Sequence, residues 1–493
     1  MIQDLEQIAG AWPLLLTVLL ATTGLLAAFF LTLDFGTRIR AEWMGIFFIG
    51  VPIALVAGVL INRRSLALGE DSPFRADFAD AAAGNWISRG ITALCLVIAV
   101  ERIVRFVIRR EFHQAKGMGV VLALMGYIGA VNLLAGLFGS PGGLNHHLIY
   151  APIIALGVQS YAQTESQRCF AIVRNTLFVF LLASLAMLVV RPEMVAETHY
   201  RAGLIASVGL RFYGFATHPN TLAPLCLILL CSLRLRPFKV GLVHRFAALL
   251  AFVCLVLTQS KTSIILVLAG AAYFWFLDRH SAAAAAGTTR QREWQAQSVT
   301  VGFVAIGLIG LVMLLALLFY DPLLIKLSYV VDRLQLTTLT GRTRIWEATI
   351  GAAKDNWLFG YGPDLWGLAF RIESGLPFTH AHNQFIHTFG AAGVVGLFAL
   401  VVYLVMLGRM AWQARSTSRG VTLVLFLFLL IRGLTELPLN VSNAMQGEFI
   451  IQMFLLVVGI GALQMQDPSP ANKVPVQQRS EPRHHISSIG SLA

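Results

Sequence analysis

Apolar positions fall along this chain in long blocks, broken by short polar segments. A hydrocarbon core of about 30 Å is crossed by a helix of roughly 20 apolar residues. Blocks that answer to this lie near 12–33, 44–62, 87–107, 117–138, 147–163, 170–190, 219–233, 244–259, 262–278, 299–319, 388–408, 420–436 and 447–465. The fifth and seventh are short for a crossing. The pattern predicts an all-α polytopic membrane protein of about 12–13 transmembrane helices, with one large periplasmic loop containing short helices. Its expected divisions are a helical body over 1–319, the loop over 320–387, the last membrane helices over 388–465, and a tail over 466–493. The tail is polar and carries Pro468, Pro470, Pro475 and Pro482, the composition of a disordered cytoplasmic end. The chain shows no internal repeat, and the alanine run Ala282–Ala286 is its one low-complexity block.

Lys and Arg in short loops set the sidedness. Arg234, Arg236, Lys239 and Arg245 follow the seventh block, Arg279, Arg290 and Arg292 the ninth, and Arg409, Arg415 and Arg419 the eleventh. These loops are expected on the cytoplasmic side, and Arg102, Arg105, Arg109 and Arg110 agree. Segments 191–218, 320–387 and 436–446 then face outward. Counting back puts the N-terminus outside; Arg63 and Arg64 oppose this, diluted by Glu70, Asp71, Asp77 and Asp80.

Composition agrees with a membrane protein. Of 493 residues, 57% are hydrophobic and 13% charged, against about 25% charged in soluble proteins. The net charge of +12 sits in loops between apolar blocks, where it serves topology and anionic lipid. No soluble basic domain is present to hold nucleic acid. The five cysteines (Cys95, Cys169, Cys226, Cys231 and Cys254) lie in or beside apolar blocks without CxxC spacing, as packing residues do. The start carries Asp4 and Glu6 and no Lys or Arg before its apolar run. A cleavable signal peptide is therefore not expected.

The chemistry concentrates in Thr340–Gly396, which gathers Arg342, Arg344, Lys354, Arg371, His380, His382 and His387 beside Trp346, Trp357 and Trp366. Thr340 suits the cap of a helix over 342–356, with Ile345, Trp346, Ile350, Ala353 and Trp357 on an apolar face against membrane or span tops. Arg342 and Arg344 open that helix, where free N–H groups also favour an anion. An arginine fork matches two phosphate oxygens; equally, such arginines can rest on lipid headgroups. Phe359–Pro363 is a breaker cluster. Histidine is suited to take a proton near neutral pH. His382 and His387, five apart, do not share a helix face well enough for a strong metal pair. Two further stretches on the outer side add Arg201, Arg211, Tyr213, His218 and Asn220, and Gln259–Thr262 with Lys261. Lys261 departs from the positive-inside pattern; it either snorkels or supplies a third cation to a bound phosphate.

The run His382-Asn383, nine residues, Gly393, two residues, Gly396 resembles the signature of the O-antigen ligases. Gly341-Arg342-Thr343-Arg344-Ile345-Trp346 and Gly360-Tyr361-Gly362 are similar to the same domain, which O-antigen ligases share with O-antigen polymerases, exopolysaccharide polymerases and some protein O-oligosaccharyltransferases. His218-Pro219-Asn220 resembles a stretch of the exopolysaccharide-type members. The resemblance implies a bacterial inner-membrane enzyme with its active site on the periplasmic face. It would pass a glycan from a polyprenyl diphosphate carrier to a glycan or lipid A core acceptor, among other polysaccharide assembly proteins. It maps the catalytic base to His382 and the diphosphate-binding cations to Arg342 and Arg211. Arg344 and Lys261 are further candidates for the diphosphate, and Asn383, His218 and Asn220 for support. No cofactor is implied. Glu347, Asp364 and Glu373 form no paired-carboxylate or DxD pattern, so no metal is expected either. Two other classes compete. A transporter of lipid-linked sugars would put its polar residues at mid-membrane depth. A scaffold would have no use for His382 and Arg342.

Overall fold

The computed structural model describes residues 43–61, 64, 66, 82–108, 116–144, 150–159, 163–198, 200, 209–283, 300–304, 340–376, 378–439 and 447–466. Several expectations fall outside these residues. They are the span at 12–33, the tenth span beyond 304, the loop up to 339 and the tail after 466. So do Arg63, Arg109, Arg110, Arg201, Arg290 and Arg292, and the acidic Glu70, Asp71, Asp77 and Asp80.

The chain is an all-α polytopic membrane protein. Its helices are α1 (Trp43–Ile61), α2 (Ala82–Ile108), α3 (Met118–Phe138), α4 (Tyr150–Gln159) and α5 (Gln163–Val190). After a short hairpin, β1 (Ala196–Thr198) with β2 (Leu210–Phe212), come α6 (Pro219–Leu235), α7 (Gly241–Leu257) and α8 (Lys261–Ala283). Then follow α9 (Thr340–Ala352), α10 (Leu368–Ser374), α11 (Gln384–Gln413), α12 (Val421–Arg432) and α13 (Gly447–Gln466). Among the described residues, five helices are long and apolar enough to cross a membrane, and further apolar helices of 10–17 residues pack with them. Of the fifth expected span, 147–163, the described residues hold the ten-residue α4.

Two departures from the expected boundaries shape the site. The span expected over 420–436 stops as a helix at Arg432, and residues 433–436 turn back across the bundle. The span expected over 388–408 begins earlier, at Gln384, so His387 lies inside α11. Asn383 sets that start: its Oδ1 accepts from the N–H groups of Phe385 (3.0 Å) and Ile386 (3.1 Å), satisfying two donors the helix leaves free.

The two ends of the bundle differ. At one end Arg234, closing α6, forks onto Asp278 of α8 at 2.7 and 2.8 Å and reaches the Arg419 carbonyl at 3.0 Å. These groups come from the three loops assigned by charge to a single side. At the other end lie the starts of α6, α8 and α11 and the end of α12, joined through Arg432, whose guanidinium donates to Ser263 Oγ at 2.6 Å and to the Asn220 carbonyl.

The large loop folds onto that second end with a small core of its own, Ile345, Trp346, Leu365, Trp366, Phe370, Leu376, Ala381 and Ala391. The helix expected over 342–356 ends at Ala352, and its expected apolar face is split. Ile345, Trp346 and Ala353 are buried, whereas Ile350 and Trp357 stay exposed. The loop docks on a break in α11, where Gly393 takes φ 59° and ψ −156°. There Val394 and Val395 donate to the carbonyls of Trp357 and Leu358 at 3.0 and 3.2 Å, and Tyr361 and Gly362 donate to Gly390 and Ala391 at 2.9 Å each. Backbone meets backbone, which accounts for Gly393 and Gly360. A Cβ on Gly393 would sit 2.4 Å from the Leu358 carbonyl. One on Gly360, itself at φ +70°, would sit 2.6 Å from the Ala391 carbonyl carbon. Gly393→Ala is expected to cost roughly 1–3 kcal/mol in strain alone, with the clash added. The check is folded yield in the membrane; yield and melting temperature equal to wild type would contradict this docking.

Candidate active site

The site grows from the four residues before α11. His380 and His382 flank Ala381, whose carbonyl accepts the Trp346 indole N–H at 2.9 Å. That bond ties α9 to the backbone between the two histidines. The His382 amide donates to His380 Nδ1 at 3.2 Å, and the rings lie 4.0 Å apart at 57°. His382 takes φ +49°. This left-handed conformation is uncommon outside glycine, though histidine is among the residues that adopt it more readily, and its cost of about 1–3 kcal/mol is typical of functional positions.

The segment after α12 is strapped alongside. Gln384 N–H donates to the Gly433 carbonyl at 2.7 Å and Asn383 Nδ2 to Leu434 O at 3.2 Å, while Gln384 Oε1 accepts the Leu439 N–H at 2.9 Å. Between these straps stands Glu436. Its Oε2 lies 3.2 Å from His382 Nδ1. Its Oε1 accepts Asn220 Nδ2 at 2.6 Å and lies 4.0 Å from an Arg342 nitrogen. Arg342 also donates to the Thr435 carbonyl at 3.1 Å. The Glu436 side chain is 8% exposed, but those of His382 and Arg342 keep 23% and 24%. The carboxylate is thus sealed in while the imidazole and guanidinium stay within reach of a substrate.

The electrostatics follow from this packing. Burial alone would raise the Glu436 pKa. The hydrogen bond to His382 and the charge of Arg432 act against it, and the carboxyl is held well below its usual range. Burial pushes His380 down to about 3, reinforced by His382. It pushes His218 down to about 3 as well, reinforced by the Arg211 charge. At neutral pH Glu436 is therefore an anion and His218 and His380 are neutral. Burial also lowers the Arg342 pKa, against the pull of Glu436. A carboxylate can only accept hydrogen bonds, so the short contact assigns the proton of a neutral His382 to Nδ1. Its Nε2 then carries a bare lone pair, the form a general base requires.

The other candidates are reached through this centre. His218 caps α6, its Nδ1 accepting from Asn220 N–H at 3.1 Å, and so helps to set Asn220 against Glu436. Arg211 on β2 stacks 4.7 Å over Tyr200, close enough for its charge to act on His218. The hairpin end is held by Arg64, which donates to the carbonyls of Met194, Gly214 and Ala216. Lys261 opens α8, two residues before the Ser263 that binds Arg432. Arg344 departs from the set. Two positions beyond Arg342 it is turned about 200° round the helix, and it is exposed. Among the described residues His382 gathers not with His387, which is carried into α11, but with His380 and Glu436. One ligand atom from each of these three lies within 4.8 Å of the others.

Sequence reasoning missed Glu436 and Arg432. A signal existed for each. Glu436 is the only acidic residue between Glu373 and Glu448, and Arg432 ends an unbroken apolar run. An ionisable group in such a place marks a site by default.

Residues 246–401, about a third of the chain, match the family model described as O-antigen ligase. The match holds Lys261, Arg342, His380, His382 and Asn383; Arg211, His218 and Asn220 precede it, and Arg432 and Glu436 follow it. No curated protein matches the chain.

Proposed function

We propose, on the premise that this chain carries an O-antigen ligase domain over residues 246–401, that it is a bacterial inner-membrane glycan polymerase acting at the periplasmic face. Glycan transfer of the O-antigen ligase and polymerase type is what that domain carries in general. The finer reading takes the donor as a glycan on a polyprenyl diphosphate and the acceptor as a hydroxyl of a second carrier-linked glycan. The observation that carries it is the His382–Glu436–Arg342 constellation, a histidine held by a buried carboxylate beside a solvent-reachable cation. The inclusion of His218 and Asn220 in the same cluster favours the exopolysaccharide-type polymerases whose stretch they resemble.

In this reading His382 Nε2 takes the proton of the acceptor hydroxyl as its oxygen bonds to the anomeric carbon. The bond from that carbon to the diphosphate oxygen breaks, and the carrier diphosphate leaves with the electron pair. Attack opposite the leaving group inverts the anomeric centre. Glu436 orients the ring and stabilises the imidazolium that forms. Arg342, with Arg211 and Lys261, binds the diphosphate through the charge it already carries in the bound donor and keeps hold of it as it leaves. One buried carboxylate stands among several cations, so the site remains attractive to an anion.

Arg342→Lys is expected to raise the KM for the diphosphate donor by about tenfold or more, because lysine keeps the charge and loses the fork. An unchanged KM would exclude a two-pronged contact. The reading as a whole is tested by the surface glycans of cells lacking the protein, complemented with wild type or His382→Ala. A polymerase predicts loss of long chains or of a secreted polymer, restored by wild type alone. Long chains stranded on the carrier with bare lipid A core would instead identify a ligase. Full restoration by His382→Ala would end the catalytic reading.

A further inference from the structure

We infer that His380, His382 and Glu436 form a binding site for an imidazole-preferring divalent cation, zinc above all, and that its binding switches transfer off by occupying the base. The second clause rests on the function proposed for His382; the first does not.

The donor set is two imidazoles and a carboxylate, a set that zinc takes readily. One ligand atom from each lies within 4.8 Å of the others. His382 Nδ1 and Glu436 Oε2 are 3.2 Å apart, close to the edge of about 3.4 Å between two ligands of a tetrahedral zinc with bonds near 2.1 Å.

The surroundings are those of a held site. Asn220 fixes the other carboxylate oxygen at 2.6 Å. The Trp346 bond to Ala381 at 2.9 Å fixes the backbone between the two histidines. Outer contacts of this kind orient metal ligands. The half-buried His382 leaves an approach from solvent. Arg342 stands 4.0 Å from the far oxygen, Oε1. Its positive charge opposes a second cation, so the bound ion should be exchangeable and open to removal by a chelator. A cation on His382 would sit on the Glu436 side of the ring and displace the hydrogen bond that orients it. With Nδ1 on the metal the ring's own proton is held on Nε2, which then has no lone pair with which to take the proton of the acceptor hydroxyl.

The test uses the full-length protein purified in detergent. Zinc binding is followed by calorimetry, and Co²⁺ is used as a visible-absorption probe of tetrahedral nitrogen and oxygen coordination. Saturable zinc binding and cobalt bands are expected for wild type, with affinity lowered about 10- to 100-fold in His380→Ala and His380→Gln and unaltered in His387→Ala. Transfer should be inhibited by zinc and restored by chelator. Measured against each variant's own metal-free rate, inhibition of the two His380 variants should need correspondingly more zinc. No saturable binding, or binding unaffected by both His380 variants, overturns the site. Binding with the expected mutational pattern but without inhibition establishes the site and overturns the assignment of His382 as base.

Discussion

His382→Ala is expected to slow glycan transfer by about 10²–10⁴-fold, the span a positioned general base supplies, while the protein still accumulates in the membrane. The stability half of this expectation follows from the surroundings of the ring. His382 is half-buried at the mouth of the site, outside the small loop core. The trace of the chain there is held by neighbours: the Trp346 bond to Ala381, the Asn383 cap and the Gln384 bond to Gly433. Glu436 would keep Asn220, and Arg342 and Arg432 would remain to balance its charge. The measurement is single-turnover transfer from a synthetic lipid-diphosphate glycan by purified protein, alongside its melting temperature. A rate within a few-fold of wild type at unchanged stability would remove His382 from the chemistry.

Glu436→Gln should have the second-largest effect, a loss of about 10²-fold or more in kcat. The upper bound is the roughly 10⁴-fold lost when the orienting carboxylate of a serine-protease triad becomes an amide. The reason is directional. An ionised carboxylate only accepts, so it holds the Nδ1 proton in place and leaves Nε2 bare. An amide also donates, and a donor turned to Nδ1 selects the wrong tautomer. Glu436 does not touch the reacting atoms, so it is a positioning residue, and a merely structural role must be told apart. The kcat of Glu436→Gln should fall with the donor KM nearly unchanged, whereas Arg342→Lys should move mainly KM. Glu436→Asp keeps an acceptor-only group and should recover part of the lost rate. Parallel losses in kcat and melting temperature, with no advantage of Asp over Gln, would show that the residue only supports the fold.

How much of this was legible in the sequence differs by kind. Helices were legible because an apolar block of membrane length needs no partner to declare itself, and α5, α8, α11 and α13 lie where the blocks do. Caps were read less well: the cap expected, Thr340, is the first residue of α9 itself, whereas Asn383 and His218, read only as supporting residues, are the ones that act on N–H groups two or three residues away. The phase of a short amphipathic helix was not. Arg342 and Arg344 look alike in the sequence, and only the packing of α9 turns one of them to Glu436 and the other to the exterior.

The chain's own order of residues was enough to read a multi-pass membrane protein, a polar loop that falls within the match to the O-antigen ligase model, and His382 and Arg342 as candidates, which the structure brings to one carboxylate. Each of these depends on composition or on spacings within a few tens of residues. The tertiary structure alone decided what completes the site. Glu436 meets Asn220 across 216 positions of sequence and Arg432 meets Ser263 across 169. No local pattern encodes such pairs. They exist because the starts of α6, α8 and α11 converge with the end of α12 at one end of the bundle. A buried charge there is tolerable only with partners already in place around it.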